Sequence, residues 1–362
     1  MKESSQIKRI IILDNEVIPG LDILTRFRSF VELRVGHETI LERLHRKYPQ
    51  AKTFYINSNE VSRNFFLSKH PSILPLEHKN TESNYKSESG DLVIEPGSYK
   101  PWDLIQNIPN YLEEDISHVK EISKWKSKFK SKFKRIDLVG KEKHLYIHPD
   151  TIIYPGVVFD TTNGPIIIDK GVTISSFSFL EGPLYIGSKS KIDDARLTGG
   201  TVIGSQCRIG GEVSNTIIQD YSNKHHEGFL GHSFIGSWVN LGALSTTSDL
   251  KNNYGTIEIQ SGNQKINTGT IKFGSVVGDY AKIGIGVMLN TGTSIDVGSN
   301  IVSSKVKGYT PPFSWIDSGE KYRLDRFLQD TKKIMSRRSM IMPQELENYI
   351  SYIYSKMIQN KN

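Results

Sequence analysis

Aliphatic residues recur at every sixth position through the middle of this 362-residue chain. Ile168 and Ile174 form one such pair, Ile186 and Ile192 form the next, and glycine or aspartate often follows them. A period of six fits neither an amphipathic helix nor a β-meander, but it is the hexapeptide repeat of a parallel β-helix. The interval from Ile168 to Ile186 is then one three-sided coil, and residues 147–301 are predicted to stack into a rod with an aliphatic interior. The remaining members of the repeat are Ile147, Ile153, Ile203, Ile209, Ile235, Leu241, Ile283, Leu289, Ile295 and Ile301.

The repeat is broken at two places, residues 213–231 and residues 244–273. A stacked scaffold tolerates insertions as loops on its outside, and functional residues often lie on such loops. Both segments are therefore predicted to be external loops that carry the candidate site.

The segment before the repeat has the pattern of a small parallel α/β unit. An apolar run at 9–14, a helical pattern at 38–44 and a second strand pattern at 53–56 give the order β–α–β. A further strand is predicted at 92–94, and a helix is predicted to follow Pro101.

Two amphipathic stripes in the tail, over 324–335 and 346–357, predict a pair of helices that covers the open end of the rod. The predicted fold class is thus mainly β: a left-handed parallel β-helix over 141–315, a shortened α/β nucleotidyltransferase-like unit over 1–140, and a helical cap over 316–362.

Composition narrows the function less than the pattern does. The chain carries 46 Lys and Arg against 39 Asp and Glu, and this surplus of seven positive charges suits an anionic small molecule as well as a nucleic acid. The single cysteine, Cys207, excludes a disulfide framework. A polar start followed by a short apolar run predicts neither a signal peptide nor a membrane span, so we expect a cytoplasmic protein.

Basic residues alternate with Trp125, Phe129 and Phe133 over residues 124–135. This mixture would suit a nucleic acid or a membrane surface. We favour a linker whose aromatic residues pack on the rod, and no nucleic-acid partner is expected. No cluster of His, Cys and carboxylates with the spacing of zinc ligands occurs in the sequence, so no structural metal site is predicted.

The second half of the first break contains the groups that acyl transfer from a thioester requires. His226 can accept a proton from an attacking amine, and Lys224 can hold a phosphate. Backbone N–H groups in the glycine-rich turns that follow can stabilise a developing oxyanion.

These residues also form longer motifs. Residues 226–231 read His-Glu-Gly-Phe-Leu-Gly, residues 240–243 read Asn-Leu-Gly-Ala, and residues 253–254 read Asn-Tyr. They resemble the acetyltransferase half of the bifunctional UDP-N-acetylglucosamine diphosphorylase/glucosamine-1-phosphate N-acetyltransferase family, whose motifs are His-x-x-Tyr-Leu-Gly, Asn-Ile-Gly-Ala and Asn-Tyr. Residues 25–36 and 322–325 look more closely like an alternative, sugar nucleotidyltransferase-like branch of that family, as does Pro-Trp-Asp at 101–103.

The resemblance implies a homotrimer whose sites lie between neighbouring rods, with acetyl-CoA as co-substrate and a phosphorylated or nucleotide-linked amino sugar as acceptor. His226 takes the place of the general base, and Asn240 that of a sugar-binding amide. The other substrate positions are Arg196, Lys224, Phe229 and Lys251, and the cofactor positions are Ala243, Asn253, Tyr254, Ile285 and Ser303.

The chain also departs from the family. Phe229 stands where the family has a sugar-contacting tyrosine, Ser214 where it has a phosphate-binding lysine, and Ile285 where a serine touches the cofactor. These departures support an alternative, a catalytically silent trimer that binds a sugar nucleotide or a partner protein.

The amino-terminal unit lacks the glycine-rich phosphate loop of the diphosphorylase half, since residues 13–20 supply only Gly20. Asp14, Asp91 and Asp103 are the candidates for Mg²⁺, which is expected only if this unit is active. Sugar-1-phosphate nucleotidyl transfer therefore remains a further alternative.

Overall fold

The middle of the chain is wound into a left-handed parallel β-helix whose coils stack into three sheets. The register shows the stacking directly, because Ile186 pairs with Ile168 in the coil before it and with Ile203 in the coil after it. These steps of 18 and 17 residues confirm the hexapeptide prediction. The computed structural model describes residues 7–76, 85–119, 122, 124, 125, 137–316 and 319–359.

We name the sheets face A, face B and face C in the order in which each coil visits them. Face A contains Leu145–Ile147, Ile166–Ile168, Leu184–Ile186, Thr201–Ile203, Ile217–Ile218, Phe234–Ile235, Ser275–Val277, Thr293–Ile295 and Tyr309–Thr310. Face B contains Ile152–Ile153, Thr173–Ile174, Asn223–Lys224, Asn240–Leu241, Lys282–Ile283, Asn300–Ile301 and Trp315–Ile316. Face C contains Asp137–Val139, Val158–Asp160, Phe179–Glu181, Phe229–Gly231, Thr246–Thr247, Met288–Leu289 and Lys305–Val306. Two longer strands, Lys191–Thr198 and Arg208–Ser214, run from face B around the corner to face C.

One or two residues from each face of each coil point into the rod, and these residues form three columns. Their side chains make one continuous apolar cluster that excludes water from the axis. The column of face A runs from Ile147 to Ile295, that of face B from Ile153 to Ile316, and that of face C from Phe159 to Val306. Cys207 is buried at a corner as a free thiol, as expected for a small packing residue.

The first predicted break, 213–231, is wrong as a loop. Val213 pairs with Leu230, and Lys224 pairs with Ile209, so this segment is a regular coil of the rod. The prediction failed because a lysine stands where the repeat requires an aliphatic residue.

The second break is an insertion. Ile235 pairs with Val277, 42 residues later, where neighbouring coils advance by 17 or 18. The extra chain leaves the rod after Thr247 and returns at Phe273, and it carries an antiparallel hairpin of Glu258–Ser261 and Gln264–Asn267. The first strand of this hairpin packs on the amino-terminal unit, because Ile257 and Ile259 are buried in the apolar cluster that this unit shares with face A, whereas Gly262 and Asn263 at the turn are exposed.

The amino-terminal unit is built on a parallel sheet, as the β–α–β pattern predicts: Arg9–Leu13 lies between Lys52–Ile56 and Asp91–Ile94, and Leu74–Pro75 pairs with the other side of Lys52–Ile56. Thr39 is the N-cap of the helix Ile40–Lys47 and forms a capping box, in which Thr39 Oγ1 accepts from the Glu42 N–H and the Glu42 carboxylate accepts from the Thr39 N–H. The strands are β1 Arg9–Leu13, β2 Lys52–Ile56, β3 Leu74–Pro75 and β4 Asp91–Ile94. The helices are α1 Leu21–Thr25, α2 Ile40–Lys47, α3 Glu60–Lys69, α4 Pro101–Gln106 and α5 Ile108–His118, with short 3₁₀ turns at Phe30–Glu32, Pro96–Ser98 and Glu142–His144.

This unit packs on the outer side of face A. Outward residues of face A such as Tyr185, Val202 and Phe234 join one apolar cluster with Trp102 of α4 and Leu112 of α5. Trp125 contacts His148 of the rod edge to face, with ring centroids 5.2 Å apart. The rest of the basic and aromatic run after Trp125 lies outside the described residues.

The carboxyl-terminal helices, α6 Leu324–Ser336 and α7 Gln344–Gln359, do not cap the end of the rod as predicted. Their buried side chains pack on the corner between faces A and B, where Trp238, Tyr280 and Phe313 lie. Helix α7 also lies against α3, with the rings of Tyr349 and Phe65 stacked 4.1 Å apart. No helix in the described part of the chain is both long enough and apolar enough to span a bilayer.

A buried charge network joins the amino-terminal unit to the last coils. Arg26 contacts Asp296 at 3.1 Å and Asp22 at 2.7 Å, while Tyr309 donates to Asp296 at 2.8 Å. Asp296 has no exposed surface, and Ser261 at the hairpin tip donates to Asp22. The network therefore fixes the unit, the insertion and the rod to one another.

Replacing Asp296 by asparagine removes the buried carboxylate but leaves Arg26 paired with Asp22. We expect the free energy of unfolding to fall by about 2–3 kcal/mol, because a buried guanidinium loses one of two charged partners. Urea denaturation measures the change. Asp325→Asn breaks an exposed pair with Arg323 and serves as the control, with no measurable loss expected. Equal effects of the two variants would contradict a structural role for the network.

Candidate functional site

The corner between faces B and C carries four of the predicted site residues. His226, Ala243, Ile285 and Ser303 occupy the turns of successive coils on this edge. The turns are hydrogen-bonded to one another: Leu244 N donates to Glu227 O, and Gly286 N donates to Ala243 O, both at 2.8 Å. The structure therefore lines up one imidazole and three small or apolar side-chain positions along a single ridge, which we call the B–C ridge.

His226 presents its imidazole to solvent at this ridge. No hydrogen-bond partner of the ring occurs among the described residues, whereas neighbouring His225 holds Asp193 at 2.8 Å through Nε2. The two histidine rings lie 4.9 Å apart. Of the pair, His226 is the one with both ring nitrogens available to an incoming molecule.

Two further predicted residues, Arg196 and Phe229, lie on the outer side of face C. Arg196 is exposed, its guanidinium lies 5.8 Å from the centroid of the Phe179 ring, and Glu212 separates it from Phe229 in the strand register. Both side chains therefore border the ridge on the same side as His226. Asn240 lies instead on the outer side of face B, where the amide of Asn223 donates to it at 3.4 Å.

Lys251, Asn253 and Tyr254 are not brought to the ridge. They lie in the insertion, which leaves the rod at the corner between faces C and A. Lys251 Nζ donates to the carbonyl of Thr256 at 2.6 Å, and Asn253 Oδ1 accepts from Gly255 N. Within one chain, face C separates these residues from His226.

Lys224 is not available to a substrate, so its predicted phosphate contact is wrong. Its side chain points into the rod, with 1% of its surface exposed, and takes the face B position between Ile209 and Leu241. The ammonium donates to Gly210 O at 3.0 Å and to His226 O. Burial lowers the pKa of Lys224 to about 8, against the attraction of Glu227.

No protein-family model matches the chain. Curated relatives are found among bifunctional proteins named GlmU. The protein from Thermodesulfovibrio yellowstonii is 33% identical over 181 residues, which cover 45% of this chain and 37% of the relative. The one from Bartonella bacilliformis is 29% identical over 172 residues, covering 46% and 34%, and that of Methanococcus vannielii is 34% identical over 145 residues, covering 39% and 34%.

Over these segments the chain is similar to the GlmU proteins. The resemblance predicted from its motifs is thereby confirmed, whereas its assignment to an alternative branch stays a prediction. The chain spans about a third of the length of these GlmU relatives.

Two solved structures are also similar. One, from Bacillus cereus and provisionally assigned as an acetyltransferase, is 17% identical and covers 61% of this chain and 99% of its own, with a TM-score of 0.24. The other, a single-residue mutant of perosamine N-acetyltransferase from Caulobacter crescentus with CoA and GDP-perosamine, is 12% identical and covers 86% and 95%, with a TM-score of 0.16. Whole chains do not superimpose at these scores, and the β-helix is established by the strand register of this chain.

The B–C ridge also exposes a row of apolar residues, of which the family resemblance indicates only Ile285. Leu244 is 61% exposed, Ile285 is 78% exposed and Val302 is 51% exposed, and Met288 lies beside them on face C. Apolar side chains in a continuous exposed row are typical of a surface that another molecule covers. A sequence signal exists for Ile285, Val302 and Met288, which stand next to an inward residue or a glycine of the repeat, but solvent exposure cannot be read from it.

The amino-terminal unit has a separate cavity of about 240 Å³ at the carboxyl ends of β1 and β2. Ligands of open parallel sheets bind at this edge, where the strands end. Arg26 and Arg28 line the cavity together with Asn57, and Tyr349 of α7 forms part of its wall.

The three candidate Mg²⁺ ligands do not come together. Asp14 follows β1, whereas Asp91 begins β4, so the parallel strands place them at opposite edges of the sheet, and Asp103 lies in α4. Burial raises the pKa of Asp14, which accepts a hydrogen bond from Tyr55 at 2.6 Å, while the Arg9 guanidinium holds the pKa of Asp91 well below its usual range. No group of three potential metal ligands occurs among the described residues, and these carboxylates do not fit a Mg²⁺ site.

Lys224→Met tests the buried ammonium. At pH 7 the lysine is charged in the folded and unfolded chain, so the wild type carries the full cost of burying the charge. Between about pH 8 and pH 10 only the folded chain loses the proton, so the wild type gains stability relative to the variant, by roughly 1–3 kcal/mol.

Thermal melting of both proteins across this pH range measures the difference. Lys305→Met removes an exposed lysine of face C and is the matched control. A stability difference between Lys224→Met and the wild type that does not change with pH would show that the ammonium is not buried.

Proposed function

We propose that this chain is an acetyltransferase that moves an acetyl group from acetyl-CoA to the amine of a phosphorylated or nucleotide-linked amino sugar. The observation that carries the proposal is the unpartnered imidazole of His226 on the B–C ridge, in line with Ala243, Ile285 and Ser303. The relationship to the GlmU proteins supports the same class of reaction.

In the proposed reaction the amine nitrogen attacks the thioester carbonyl carbon, and an imidazole nitrogen of His226 accepts the proton that the amine loses. The carbon–sulfur bond then breaks, and coenzyme A leaves as a thiolate that takes up a proton. The pantetheine arm would lie along Ala243, Ile285 and Ser303, and Arg196 and Phe229 on the outer side of face C would face the acceptor.

We propose further that the site is completed by a second copy of the chain in a homotrimer. The exposed row of Leu244, Ile285, Val302 and Met288 supplies an apolar contact surface beside His226. Lys251, Asn253 and Tyr254 lie across face C from that histidine, so they could reach an acceptor at the ridge only from a neighbouring rod. This arrangement accounts for all the motif residues except Lys224 and Asn240.

His226→Gln tests the base. We expect the rate of thiol release from acetyl-CoA, with the best acceptor from a panel of amino sugar phosphates and nucleotide-linked amino sugars, to fall by about 10²–10⁴. His225→Gln removes the adjacent imidazole and its contact with Asp193, and it is expected to keep most of the activity. Loss of activity in His225→Gln, with activity retained in His226→Gln, would contradict the proposal and show that the base is His225.

The same assay addresses the silent alternative. A wild-type protein that releases no thiol with any acceptor, yet binds a nucleotide sugar, would be a binding protein rather than an acetyltransferase.

Nucleotidyl transfer is a second candidate function, favoured by the cavity that Arg26 and Arg28 line in the amino-terminal unit. The assay for this activity is pyrophosphate release from UTP with a sugar 1-phosphate.

Ile285→Asp tests the assembly. We expect the wild type to be a trimer by size-exclusion chromatography with light scattering, and the variant to be a monomer, because three carboxylates would be buried in an apolar contact. Ile341→Asp changes a residue that is 90% exposed between α6 and α7, and it is expected to stay trimeric. A monomeric wild type, or a trimeric Ile285→Asp protein, would contradict the proposed assembly.

A further inference from the structure

A cleft of about 390 Å³ lies at the corner between faces C and A, away from the B–C ridge. Helices α4 and α5 form one wall through Trp102, Ile105 and Pro109, and the returning arm of the insertion forms the opposite wall through Ile271 and Phe273. The indole of Trp102 meets the Phe273 ring edge to face, with centroids 6.0 Å apart. A volume of this size with apolar walls is typical of a small-molecule site.

A histidine paired with a carboxylate opens into this cleft. His232 Nδ1 lies 2.7 Å from Asp249 Oδ2, and both side chains are more than four-fifths buried. The hydrogen bond from His232, helped by the charge of Lys272, lowers the pKa of Asp249, so the carboxylate is ionised and fixes the imidazole. Because Nδ1 is engaged, His232 directs Nε2 to whatever enters the cleft, and no partner of Nε2 occurs among the described residues.

The backbone is arranged so that this pair can form. Asp249 O accepts from Phe273 N at 2.9 Å, which closes the base of the insertion next to His232. Gly231 precedes the histidine, and a Cβ there would lie 2.7 Å from Asp249 Oδ2 and 2.3 Å from the Phe229 ring. Only glycine at 231 leaves room for the carboxylate, so the local sequence is matched to the His232–Asp249 pair.

The polar end of the cleft contains one cationic group and a side-chain amide beside His232. The Lys272 ammonium lines it together with Asn215, whose Nδ2 donates one of its two hydrogens to Ser214 Oγ at 3.0 Å and whose Oδ1 accepts from Gly200 N, and the adjacent carboxylate of Asp249 is already engaged by the imidazole. Such a set favours a ligand with its own anionic oxygens, while the apolar surface that Pro109 and Ile271 expose on the two walls favours an apolar ring.

We propose that this cleft is a second small-molecule site, which binds an organic anion made of an apolar ring and a phosphate or carboxylate group. The ring lies between α4 and the returning arm, and the anionic oxygens accept hydrogen bonds from His232, Lys272 and Asn215. The site does not depend on acyl transfer at His226, since face C and its outer side chains lie between them.

Phenyl phosphate and benzoate are the probes, and ligand-observed NMR with the full chain is the measurement. We expect the wild type to bind at least one of them with a dissociation constant of about 1 mM, which is the range for a ligand of this size. The two probes distinguish a phosphate from a carboxylate ligand. Phenol and inorganic phosphate, the separate halves, are expected to bind at least about tenfold more weakly.

His232→Gln and Lys272→Met are each expected to weaken probe binding about tenfold or more, because each removes a charge-assisted hydrogen bond. His225→Gln is the matched control, since it breaks another histidine–aspartate pair of this rod outside the cleft, and it is expected to bind like the wild type. Lys272 is exposed, so its variant keeps the test valid if His232→Gln lowers the melting temperature. Absence of binding to the wild type at about 10 mM, or equal binding by the wild type and both cleft variants, would overturn the proposal.

Discussion

The inward aliphatic side chains of successive coils are the interaction on which the rest of this structure depends. Each coil contributes one or two residues per face, and contact between layers sets the height and the rotation of every turn outside them. Residues far apart in sequence, such as His226 and Ser303, are thereby aligned along one edge. Because the inward columns are closely packed, the distance between successive corner turns is set by the distance between successive layers of the interior. A corner residue therefore cannot shift without disturbing a coil.

Lys224 is an exception inside this interior. An aliphatic residue there would satisfy the repeat, yet the ammonium replaces it and donates to the carbonyls of Gly210 and His226. Both carbonyls belong to turns of the corner that carries the candidate base. The charge costs stability, but it ties the His226 backbone to the preceding coil, which limits the positions that the imidazole can sample.

Much of the fold follows from sequence periodicity alone. The six-residue repeat predicts the columns, and the β–α–β order predicts the sheet around β1, because both depend on local patterns of burial. The coil at 213–231 was missed for the same reason: a polar side chain can replace an apolar one when backbone carbonyls satisfy it, and a pattern of apolar residues cannot register this. Lys224 does stand 15 residues after Ile209 and 17 before Leu241, so its spacing was the available signal.

It is harder to predict from the sequence which surface of the rod each helix or loop packs against. The stripes of α6 and α7 indicate that each helix has a buried side, but only the tertiary structure shows that this side meets Trp238 and Phe313. Likewise, His232 and Asp249 are separated by 17 residues and become partners because the rod stacks one coil on the next. Motifs identify residues that act together in relatives, and they do not indicate pairs that arise from an insertion.

The insertion has one more consequence. Its base closes beside His232, its hairpin tip is hydrogen-bonded to Asp22 through Ser261, and its buried isoleucines belong to the same apolar cluster as β1 and α4. Separating the amino-terminal unit from the rod would expose that shared cluster and break contacts at both ends of the insertion. Heat should therefore melt the two parts together in one cooperative transition, even though each has its own hydrogen-bonded sheet.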